Sequence, residues 1–523
     1  MSPYDHIIVG SGINSLVCAA LLGKAGKKVL LLERNDMIGG CIRTEEIIAP
    51  GFVHDVLATT FVLFTTSPAY RELADDLARH GLEFCQAKFP TGVLLPNGNS
   101  ALITMDREEN IAMFNKIAAG DGDAHREAVE SIEQNADLIF GLLGSDLWSW
   151  RTALMLAKQA RKRGLRGLAS FFGESLGTAR HWLESDFHSE ISKALWAPWV
   201  LHTGLGPESS YSAQMGRVIA FAIEAAGAPV VKGGAKNILA AFQALIEENG
   251  GEIRTCTDVD KIIVEGGRAA GVMLTDGEKL RASSGIICSV TPNQFYNRLL
   301  ESPASTDADA TQKFKPGKSN FQLHYALNGP LKWNNSDLND VALLHITDGL
   351  DGVSKASNEA ERGMLPETPT ICLGQPSSFD STRAPAGKAI LWLQMPETPR
   401  HIKGDTSGVI NVPEDGKWNE QVREAYADRI ENILRQHIVN FDELVIGRKA
   451  ISPADLEVMN MNLEGGDPYG GYCGLDQFFI WRPFKHSKNH NTNIKYLFHI
   501  GASTHPGPGL GGGSGYLVAK RLS

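Results

Sequence analysis

Apolar residues open the chain in two short runs on either side of a longer apolar stretch. The run Ile7–Val9 leads into a turn with two glycines, the apolar stretch covers 13–23, and Val29–Leu32 follows. A short apolar run between turn signals is typical of a buried strand, and the longer stretch is typical of a helix. Residues 1–33 therefore predict a strand, a helix and a second, parallel strand.

The turn after the first strand carries the pattern of a dinucleotide site. Gly10 allows a tight turn, Gly12 lets backbone N–H groups approach a pyrophosphate, and the helix from about Asn14 directs its positive end there. Glu33 lies 21 residues after Gly12, where a carboxylate accepts from ribose hydroxyls and disfavours a 2′-phosphate. The pattern predicts FAD or NAD, bound by Gly10, Ser11, Gly12, Ile13, Asn14 and Ser15, with Ser15 in place of a third glycine.

The segment after Glu33 favours FAD over NAD. Gly39 and Gly40 let the main chain run beside the flavin end of an extended dinucleotide. Arg34 directly follows the carboxylate, and Arg43 is placed to meet a phosphate. The alternative interpretation is an ordinary Gly-Gly turn with a surface arginine.

A second set of periodic segments returns to this domain after residue 220. Apolar residues recur at helical spacing from Ile238 to Ile246, and Asn249 with Gly250 ends the predicted helix. A strand, a glycine-dense turn and a closing helix end the chain over 494–522. Short strands are predicted near 252–254, 259–264, 271–274 and 285–288, with a hairpin turn at 276–277.

Length and composition predict more than one domain. A chain of 523 residues exceeds what one core usually supports, and 43% hydrophobic residues supply a sizeable core. The segments after residue 220 resemble the insertion by which two-dinucleotide flavoproteins build a β-meander and return to the sheet. This resemblance implies an α/β fold: a two-dinucleotide-binding-type Rossmann FAD domain with a β-meander, and an α+β substrate or cap domain inserted discontinuously. The FAD domain is assigned to 1–90, 220–291 and 455–523, and the cap domain to 91–219 and 292–454. Residues 302–311 are predicted to form a solvent-exposed loop.

Charge and cysteine usage limit the partners and the compartment. A net charge of −10, from 50 basic and 60 acidic residues, argues against a nucleic-acid binder. The first strand has begun by residue 5 and no apolar run reaches 18 residues, so we expect neither a signal peptide nor a spanning helix. An odd number of scattered cysteines without a C-x-x-C pair predicts reduced thiols and a cytoplasmic location. They are Cys18, Cys41, Cys85, Cys256, Cys288, Cys372 and Cys473.

One stretch of the predicted cap, 147–166, combines tryptophan and leucine with basic side chains. Some helices of this composition rest on an anionic bilayer, and many others are solvated surface helices. Peripheral membrane contact through this stretch is therefore one alternative beside a purely cytoplasmic protein, and the oligomeric state is left open. The basic residues are Lys158, Arg161, Lys162, Arg163 and Arg166.

Together these pieces resemble the phytoene desaturase superfamily of FAD-dependent oxidoreductases, in its phytoene dehydrogenase-related branch, within the wider amine-oxidase-like flavoproteins. The resemblance spans nearly the whole chain, and its most specific part is the run from Gly501 to Pro506. It rests on Gly10–Ser15, Glu33–Thr44, Gly51–Asp55, Gly233–Gly234 and Gly501–Gly509, supplemented by Gly465–Gly471.

The resemblance implies further cofactor contacts. Val259 would present its backbone to the adenine, Arg43 would lie by the phosphates or the ring, and the Thr504–Leu510 turn would lie against the isoalloxazine. We expect FAD to be non-covalent, although Cys41 and Cys473 are conceivable tethers. The additional binding residues are Gly501, Ala502, Thr504, Gly509 and Leu510.

Histidines are the candidate catalytic residues. His505 is the polar group expected near the flavin, and a structural histidine that holds the turn is the alternative. His54 and His202 are further candidates, although a lone histidine is usually structural. No metal site is predicted, because His486 and His490 have helical spacing but lie in a predicted solvated loop without a carboxylate partner.

The predicted function is an FAD-dependent dehydrogenase or desaturase acting on CH–CH bonds of a small lipophilic or alicyclic substrate. With one dinucleotide fingerprint, NAD(P) has no separate site, so oxygen, a quinone or a carrier would reoxidise the flavin. Two alternatives are an amine oxidase of the same fold and a non-redox binding protein of the Rab-escort or dissociation-inhibitor type.

Overall fold

The computed structural model describes residues 4–523, and its strands fall into two large sheets and three two-stranded ladders. The strands are β1 Tyr4–Val9, β2 Val29–Leu32, β3 Thr44–Glu45, β4 His54–Asp55, β5 Phe84–Cys85, β6 Phe89–Leu94, β7 Ser100–Ile103, β8 Val230–Val231, β9 Glu252–Arg254, β10 Val259–Glu265, β11 Arg268–Leu274, β12 Lys279–Ser289, β13 Ser319–Leu327, β14 Val341–Ile346, β15 Met364–Leu365, β16 Ile371–Gly374, β17 Ala389–Thr398, β18 Gly404–Asp405, β19 Val445–Ile451 and β20 Leu497–Ile500.

Helices of very different length connect these strands. They are α1 Ile13–Lys24, α2 Val62–Thr65, α3 Pro68–Arg79, α4 Arg107–Ile117, α5 Asp121–Gln134, α6 Ala136–Leu143, α7 Trp150–Ser175, α8 Ala179–Asp186, α9 Glu190–Trp196, α10 Ser212–Ala226, α11 Lys236–Glu248, α12 Ser305–Gln312, α13 Gly349–Glu361, α14 Glu420–His437, α15 Phe441–Leu444, α16 Pro453–Met459 and α17 Gly513–Leu522. Shorter helical turns include Ala197–Thr203 and Gln294–Leu299.

The first large sheet is built around β1. Strands β20, β12, β1, β2 and β9 are mutually parallel, and β10 and β11 extend from β12 as an antiparallel meander. Alternate residues of β1 pack on helices α1, α11 and α17 or on the meander side, so both faces of the strand are buried. The predicted strand-helix-strand start, the helix near 238–246 and the hairpin at 276–277 are confirmed.

The second large sheet has the strand order β19-β13-β17-β16-β14-β6-β7 and is antiparallel except between β14 and β6. Phe321, Leu323 and Tyr325 of β13 pack into one apolar core with α14. The alternate residues Asn320 and Gln322 lie on the opposite face, toward a large cavity. The α/β fold class is therefore confirmed: a Rossmann-like sheet with a meander stands beside a largely antiparallel sheet.

The structure differs from the expected layout at the predicted loop 302–311 and bears on one predicted domain boundary. The predicted loop at 302–311 is wrong over most of its length, because 305–312 form α12 and Asp307 is buried against His486 and Asn493. The local composition of Ser, Asp, Ala and Thr does not reveal these contacts of Asp307, because its partners lie far away in the sequence. The assigned domain boundaries stay a prediction, and β6 crosses the boundary placed at residue 90.

Within residues 4–523, every helix falls short of the length or the apolar character that crossing a bilayer requires.

Candidate functional site

One continuous cavity of about 1300 Å³ joins the two large sheets. Its volume exceeds the ~300–1,000 Å³ of an ordinary small-molecule pocket. One end, here called the nucleotide end, is lined by the turns after β1 and β2 at Gly10–Asn14 and Glu33–Asn35. The other end, here called the chamber, lies between the second sheet and α10, and the turn at 501–511 lies along the same cavity.

The glycine turn after β1 leaves room for a ligand at the start of α1. Gly10 has φ +86°, and a Cβ there would lie 3.0 Å from the carbonyl oxygen of Ser289. At Gly12, by contrast, an added Cβ would have no other atom of residues 4–523 within 4 Å, apart from those of its chain neighbours. A Cβ on Gly40 would lie 3.2 Å from Cα of Gly12, so the second glycine turn packs directly on the first. This arrangement fits a pyrophosphate at a helix N-terminus.

Glu33 is held rigidly at this end. Its Oε2 accepts from the backbone N–H of Ser11 (3.0 Å) and from Ser11 Oγ (2.6 Å), and its Oε1 accepts from the backbone N–H of Asn35 (3.0 Å). A carboxylate has about four acceptor positions, so one remains for a ribose hydroxyl. The side chain lines the cavity at 7% exposure.

Two helix N-termini meet beside this turn. Asn14 Oδ1, on α1, accepts from the backbone N–H and Oγ of Ser514, at 3.1 and 2.8 Å, on α17. A Cβ on Gly515 would lie 1.8 Å from the carbonyl oxygen of Asn14, so only glycine allows this approach of the two helices. The positive ends of both helix dipoles therefore act on the same part of the cavity, which favours a negatively charged group there.

Most of the predicted cofactor residues lie along this cavity, and as cofactor contacts they all stay predictions. Ser15, Arg43 and Thr504 are outside its lining as residues 4–523 define it. Ser15 is buried within α1, Arg43 is paired with Glu45, and Thr504 Oγ1 donates to the Gly501 carbonyl. Those that line it are Gly10, Ser11, Gly12, Ile13, Asn14, Glu33, Arg34, Gly39, Gly40, Val259, Gly501, Ala502, Gly509 and Leu510.

Sequence reasoning missed the cation beside Val259. Arg298 also lines the cavity, and its Nη1 donates to the Val259 carbonyl oxygen (2.9 Å) and lies 3.2 Å from a carboxylate oxygen of Asp258. The arginine comes from the turn at Gln294–Leu299, which has the apolar pattern of a packed element and carries no nucleotide signal.

His505 lies in the protein interior rather than at the cavity surface formed by residues 4–523. Burial lowers its pKa to about 3, so the imidazole is neutral. Its ring packs edge-on against Phe479, with centroids 5.8 Å apart, and its carbonyl oxygen accepts from His490 Nε2 (2.8 Å). These contacts favour the structural interpretation of His505, and its role with the flavin stays a prediction.

His54 is likewise enclosed, and burial lowers its pKa to about 4. The neighbouring Asp55 accepts from Thr44 Oγ1 (2.7 Å), the backbone N–H of Ala235 (2.8 Å) and Arg383 Nη2 (2.8 Å). Segment 54–55 therefore joins distant parts of the chain, which is a structural role for it. Catalysis by His54 stays a prediction.

The chamber is formed mainly by aromatic and aliphatic side chains that lie far apart in sequence. Aliphatic and aromatic residues on α10 face bulky residues of the second sheet across it. No local pattern indicates this set, because each member looks like an ordinary core residue within its own element. The set includes Trp199, Met215, Val218, Ile219, Phe221, Leu343, Trp392, Tyr469 and Phe478.

Of the three candidate histidines, His202 lines the chamber. Its Nε2 lies 2.9 Å from His345 Nε2, and burial lowers the pKa of His202 to about 4 and that of His345 well below its usual range. Trp199 packs on both rings, with centroid distances of 4.8 and 4.9 Å. With Cys372 Sγ, the ligand atoms of this group lie within 4.8 Å of one another. The expectation of no metal site stays a prediction.

Burial disfavours the thiolate form of both conceivable cysteine tethers. Cys41 lines the cavity and Cys473 is 3% exposed, and burial raises the pKa of each thiol to about 11. Because the thiolate is the nucleophile, a protonated thiol disfavours a covalent bond to a cofactor. All seven cysteines are free thiols.

The start of the chain matches the model of one known domain family. The family described as "NAD(P)-binding Rossmann-like domain" matches residues 8–77. This stretch contains the glycine turn, Glu33 and the second glycine pair. A Rossmann-type domain of the kind that binds NAD(P) or a flavin is therefore present.

Whole-length relatives are oxidoreductases by name. Pyridine nucleotide-disulfide oxidoreductase domain-containing protein 2 of Rattus norvegicus is 27% identical over 99% of this chain and 92% of its own length. One of the proteins that make up the limonene dehydrogenase of Castellaniella defragrans is 24% identical over 99% of this chain and 94% of its length. The zeta-carotene-forming phytoene desaturase of Myxococcus xanthus is 24% identical over 99% of this chain and 92% of its own length.

Among solved structures, wild-type putrescine oxidase bound to putrescine has a similar fold. The TM-score is 0.60 at 13% identity, over 99% of this chain and 98% of that one. At this identity the likeness concerns the fold alone. Taken with the whole-length relatives and the Rossmann match, these findings fit the chain to the superfamily of phytoene desaturase-like oxidoreductases, with the fold of the amine oxidases.

Proposed function

We propose that the protein is an FAD-dependent dehydrogenase or desaturase that removes hydride from a CH–CH unit of a lipophilic or alicyclic substrate. The observation that carries this proposal is the continuity of the cavity from the nucleotide end, with Glu33 and two helix N-termini, to an apolar chamber. Such a cavity holds a dinucleotide and a second, apolar molecule in contact. The named relatives support this oxidoreductase function rather than the amine-oxidase alternative.

The residues of the nucleotide end fit FAD. Glu33 would accept from a ribose hydroxyl, Gly12 leaves room for the pyrophosphate, and Arg298, held on the Val259 carbonyl oxygen, would lie with Val259 by the adenine. The turn at 501–511 would lie beside the flavin ring, with the N-terminus of α17 close by. When bound, the flavin supplies a hydride acceptor. We expect no covalent link, because burial raises the pKa of the Cys41 and Cys473 thiols to about 11.

The chamber would bind and desolvate the substrate. Trp199, Trp392 and Ile219 supply apolar surface that excludes water from the reacting carbon atoms. Relatives named for limonene and for phytoene point to hydrocarbon-rich molecules. The electron acceptor would be oxygen, a quinone or a carrier protein, since the chain offers a single dinucleotide fingerprint.

An anaerobic screen tests this function. Purified protein with bound FAD is mixed without oxygen with monoterpenes, carotenoid precursors and cyclic ketones, and the visible absorption band of the oxidised flavin is followed. We expect bleaching by at least one lipophile, with a product that has lost two hydrogens. Bleaching by amines alone would contradict the proposal and support an amine oxidase. A protein that binds lipophiles but contains no FAD and takes up none would support a non-redox binding protein.

We further propose peripheral membrane contact through 147–166. Trp150 and Leu154 are 72% and 62% exposed on a helix whose Lys158 and Arg161 are also exposed, and Leu165, just after the break in this helix at Gly164, is 79% exposed. Phe140 of the preceding helix is 40% exposed and lines the cavity, so the entrance lies close to this surface. Cosedimentation with phosphatidylserine vesicles should fall in Trp150→Ser/Leu154→Ser. Equal sedimentation of both proteins would contradict the contact.

A further inference from the structure

A row of polar side chains crosses the chamber-side face of the second sheet. Gln322 on β13 pairs in register with Gln394 on β17, Gln394 with Cys372 on β16, and Cys372 with His345 on β14. Residues in register on neighbouring strands share one face, so these four side chains form one line. His202 extends the line through its 2.9 Å contact with His345. We call these five residues the polar row.

The two histidines fix each other's tautomers. Between their Nε2 atoms one ring must donate and the other accept. Nδ1 of His345 is enclosed without a hydrogen-bond partner in the described protein, and a buried donor left unpaired is the rarer and costlier arrangement. His345 therefore carries its proton on Nε2 and donates it to His202, which carries its own proton on Nδ1.

This tautomer leaves a hydrogen-bond donor at the chamber surface. His202 lines the chamber, and its Nδ1 is neither enclosed nor hydrogen-bonded to any residue of 4–523. Gln394 also lines the chamber, is half-buried, and directs its amide to no partner within the described chain. Beside the side chains of Asn320 and Gln322, the chamber thus offers one N–H from an imidazole and one complete amide. This is more polar capacity than a pure hydrocarbon can satisfy.

We propose that the polar row anchors a neutral oxygen function, a carbonyl or a hydroxyl, of a lipophilic substrate, with His202 Nδ1–H as the donor. The substrate class is then an oxygenated terpenoid or a similar alicyclic ketone or alcohol rather than an unsubstituted hydrocarbon. This inference rests on the proposed function and specifies its substrate.

The charges around the chamber favour a neutral group over a carboxylate. The arginines that line the cavity are Arg34, Arg71 and Arg298, all on the segments of the nucleotide-binding sheet and its helices. Burial keeps His202 neutral, with a pKa of about 4. A carboxylate at the polar row would therefore lose its hydration without gaining a counter-charge, which is strongly unfavourable.

A metal ion is the competing occupant of the same residues. His202, His345 and Cys372 bring three ligand atoms within 4.8 Å of one another. A metal-bound histidine normally donates its second ring N–H to a carboxylate, a carbonyl or a water. Among residues 4–523 neither Nδ1 has such a partner, and the direct 2.9 Å contact between the rings already satisfies both Nε2 atoms. The geometry therefore fits a hydrogen-bonded pair.

Binding measurements with matched monoterpenes test the proposal. Trp199 and Trp392 line the chamber, so quenching of tryptophan fluorescence reports ligand binding without any redox reaction. The probes are limonene, carvone, which adds a carbonyl to the same skeleton, and perillate, which adds a carboxylate. We expect carvone to bind up to about tenfold more tightly than limonene, the effect of one net hydrogen bond, and perillate to bind more weakly than carvone.

Variants assign this preference to His202. In His202→Phe the ratio of the affinity for carvone to the affinity for limonene should fall to about one, with limonene binding unchanged. His202→Asn retains a hydrogen-bond donor and should keep part of the preference for carvone. His80→Phe, at the surface beside Glu248, is the matched control and should leave the ratio unchanged. If His202→Phe does not fold, Gln394→Leu should lower the ratio by the same reasoning.

Three results would overturn the inference. They are equal binding of limonene and carvone by the wild type, an unchanged ratio in folded His202→Phe, and stoichiometric zinc in purified protein that is lost in both His202→Phe and Cys372→Ser. Failure of the proposed function is distinguishable, because a carvone preference that depends on His202 without any flavin bleaching would contradict redox activity alone.

Discussion

The two ends of the cavity are built from different parts of the chain. At the nucleotide end the ligand surface is mostly backbone, with the open space at Gly12, the N-termini of α1 and α17 and one fixed carboxylate at Glu33. In the chamber the surface is made of side chains, among them Trp199, Trp392 and the His202–His345 pair. Backbone donors suit a ligand whose phosphates are always the same, whereas side chains can change with the substrate. Changes at one end should therefore have little effect on the other.

The largest expected effect is at the contact between α1 and α17. Gly515→Ala places a Cβ 1.8 Å from the Asn14 carbonyl oxygen, so the two helix starts must separate. We expect loss of FAD and a destabilisation of at least the ~1–3 kcal/mol typical of overpacking. Thermal melts and flavin content measure both. Gly173→Ala, whose Cβ position is free of close described atoms, is the control. Full FAD content in Gly515→Ala would contradict the role of this contact.

Glu33→Ala should act on the cofactor with a smaller effect on the fold. The carboxylate fixes Ser11 and, as we propose, the ribose, so we expect FAD affinity to fall by about 1–3 kcal/mol, the range of a lost charged hydrogen bond. Titration of apoprotein with FAD gives the dissociation constant. Binding of carvone or limonene in the chamber should stay as in the wild type. Unchanged FAD affinity would remove Glu33 from the nucleotide site.

Glu224→Gln should disturb the chamber rather than the nucleotide end, because the contacts of Glu224 hold α10, a wall of the chamber, in place. Burial raises its pKa, but hydrogen bonds from His125, Arg107 and Asn110, at 2.8, 2.6 and 3.0 Å, outweigh this and lower the pKa to about 2. A lowered folded-state pKa stabilises the protein above the ordinary value of 4.5, and this stabilisation is lost as the pH falls toward 2.

The glutamine variant should accordingly be less stable at pH 7 and lose less stability between pH 4.5 and pH 2 than the wild type. Urea unfolding at several pH values measures this, with Glu133→Gln, an exposed partner of Arg107, as the control. FAD affinity should be unaffected. If the stability of the variant and that of the wild type fall in parallel as the pH is lowered, Glu224 is not the group that causes the loss of stability in acid.

The smallest expected effect on chemistry is at His505. Since its ring is buried against Phe479 and not in the cavity lining that residues 4–523 form, His505→Ala should lower the melting temperature through lost packing. The rate of anaerobic reduction per bound flavin should stay near the wild-type value. A rate reduced by a factor of ~10²–10⁴, the range for a lost proton-transfer group, would restore His505 as a catalytic residue.

Much of the nucleotide end was predictable from the sequence because its parts are local. The turn at Gly10–Ser15 and the acid at Glu33 belong to a single strand-helix-strand unit, whose spacing is visible along the chain. Arg298 was not predictable, since its approach to Val259 depends on the packing of a distant turn. The same holds for α12, which is stabilised by the contacts of Asp307 with His486 and Asn493.

The chamber was largely hidden for the same physical reason. His202, His345 and Cys372 come from three separate elements, and their proximity follows from the register of β14 and β16 and the turn at Ala197–Thr203. Singly, each residue has the features of an ordinary core position. For His505 the sequence did not reveal the direction of the side chain: the turn at 501–511 lines the cavity, the His505 ring lies in the interior, and its role with the flavin stays a prediction.

The central claim, a flavoprotein with a separable substrate chamber, is tested most directly by the cofactor itself. Purified protein is precipitated with acid, and the supernatant is analysed by chromatography and mass spectrometry. We predict one equivalent of FAD released into the supernatant, with the protein left colourless. A colourless protein that takes up no added FAD, or flavin that stays bonded to the precipitated chain, would contradict the claim.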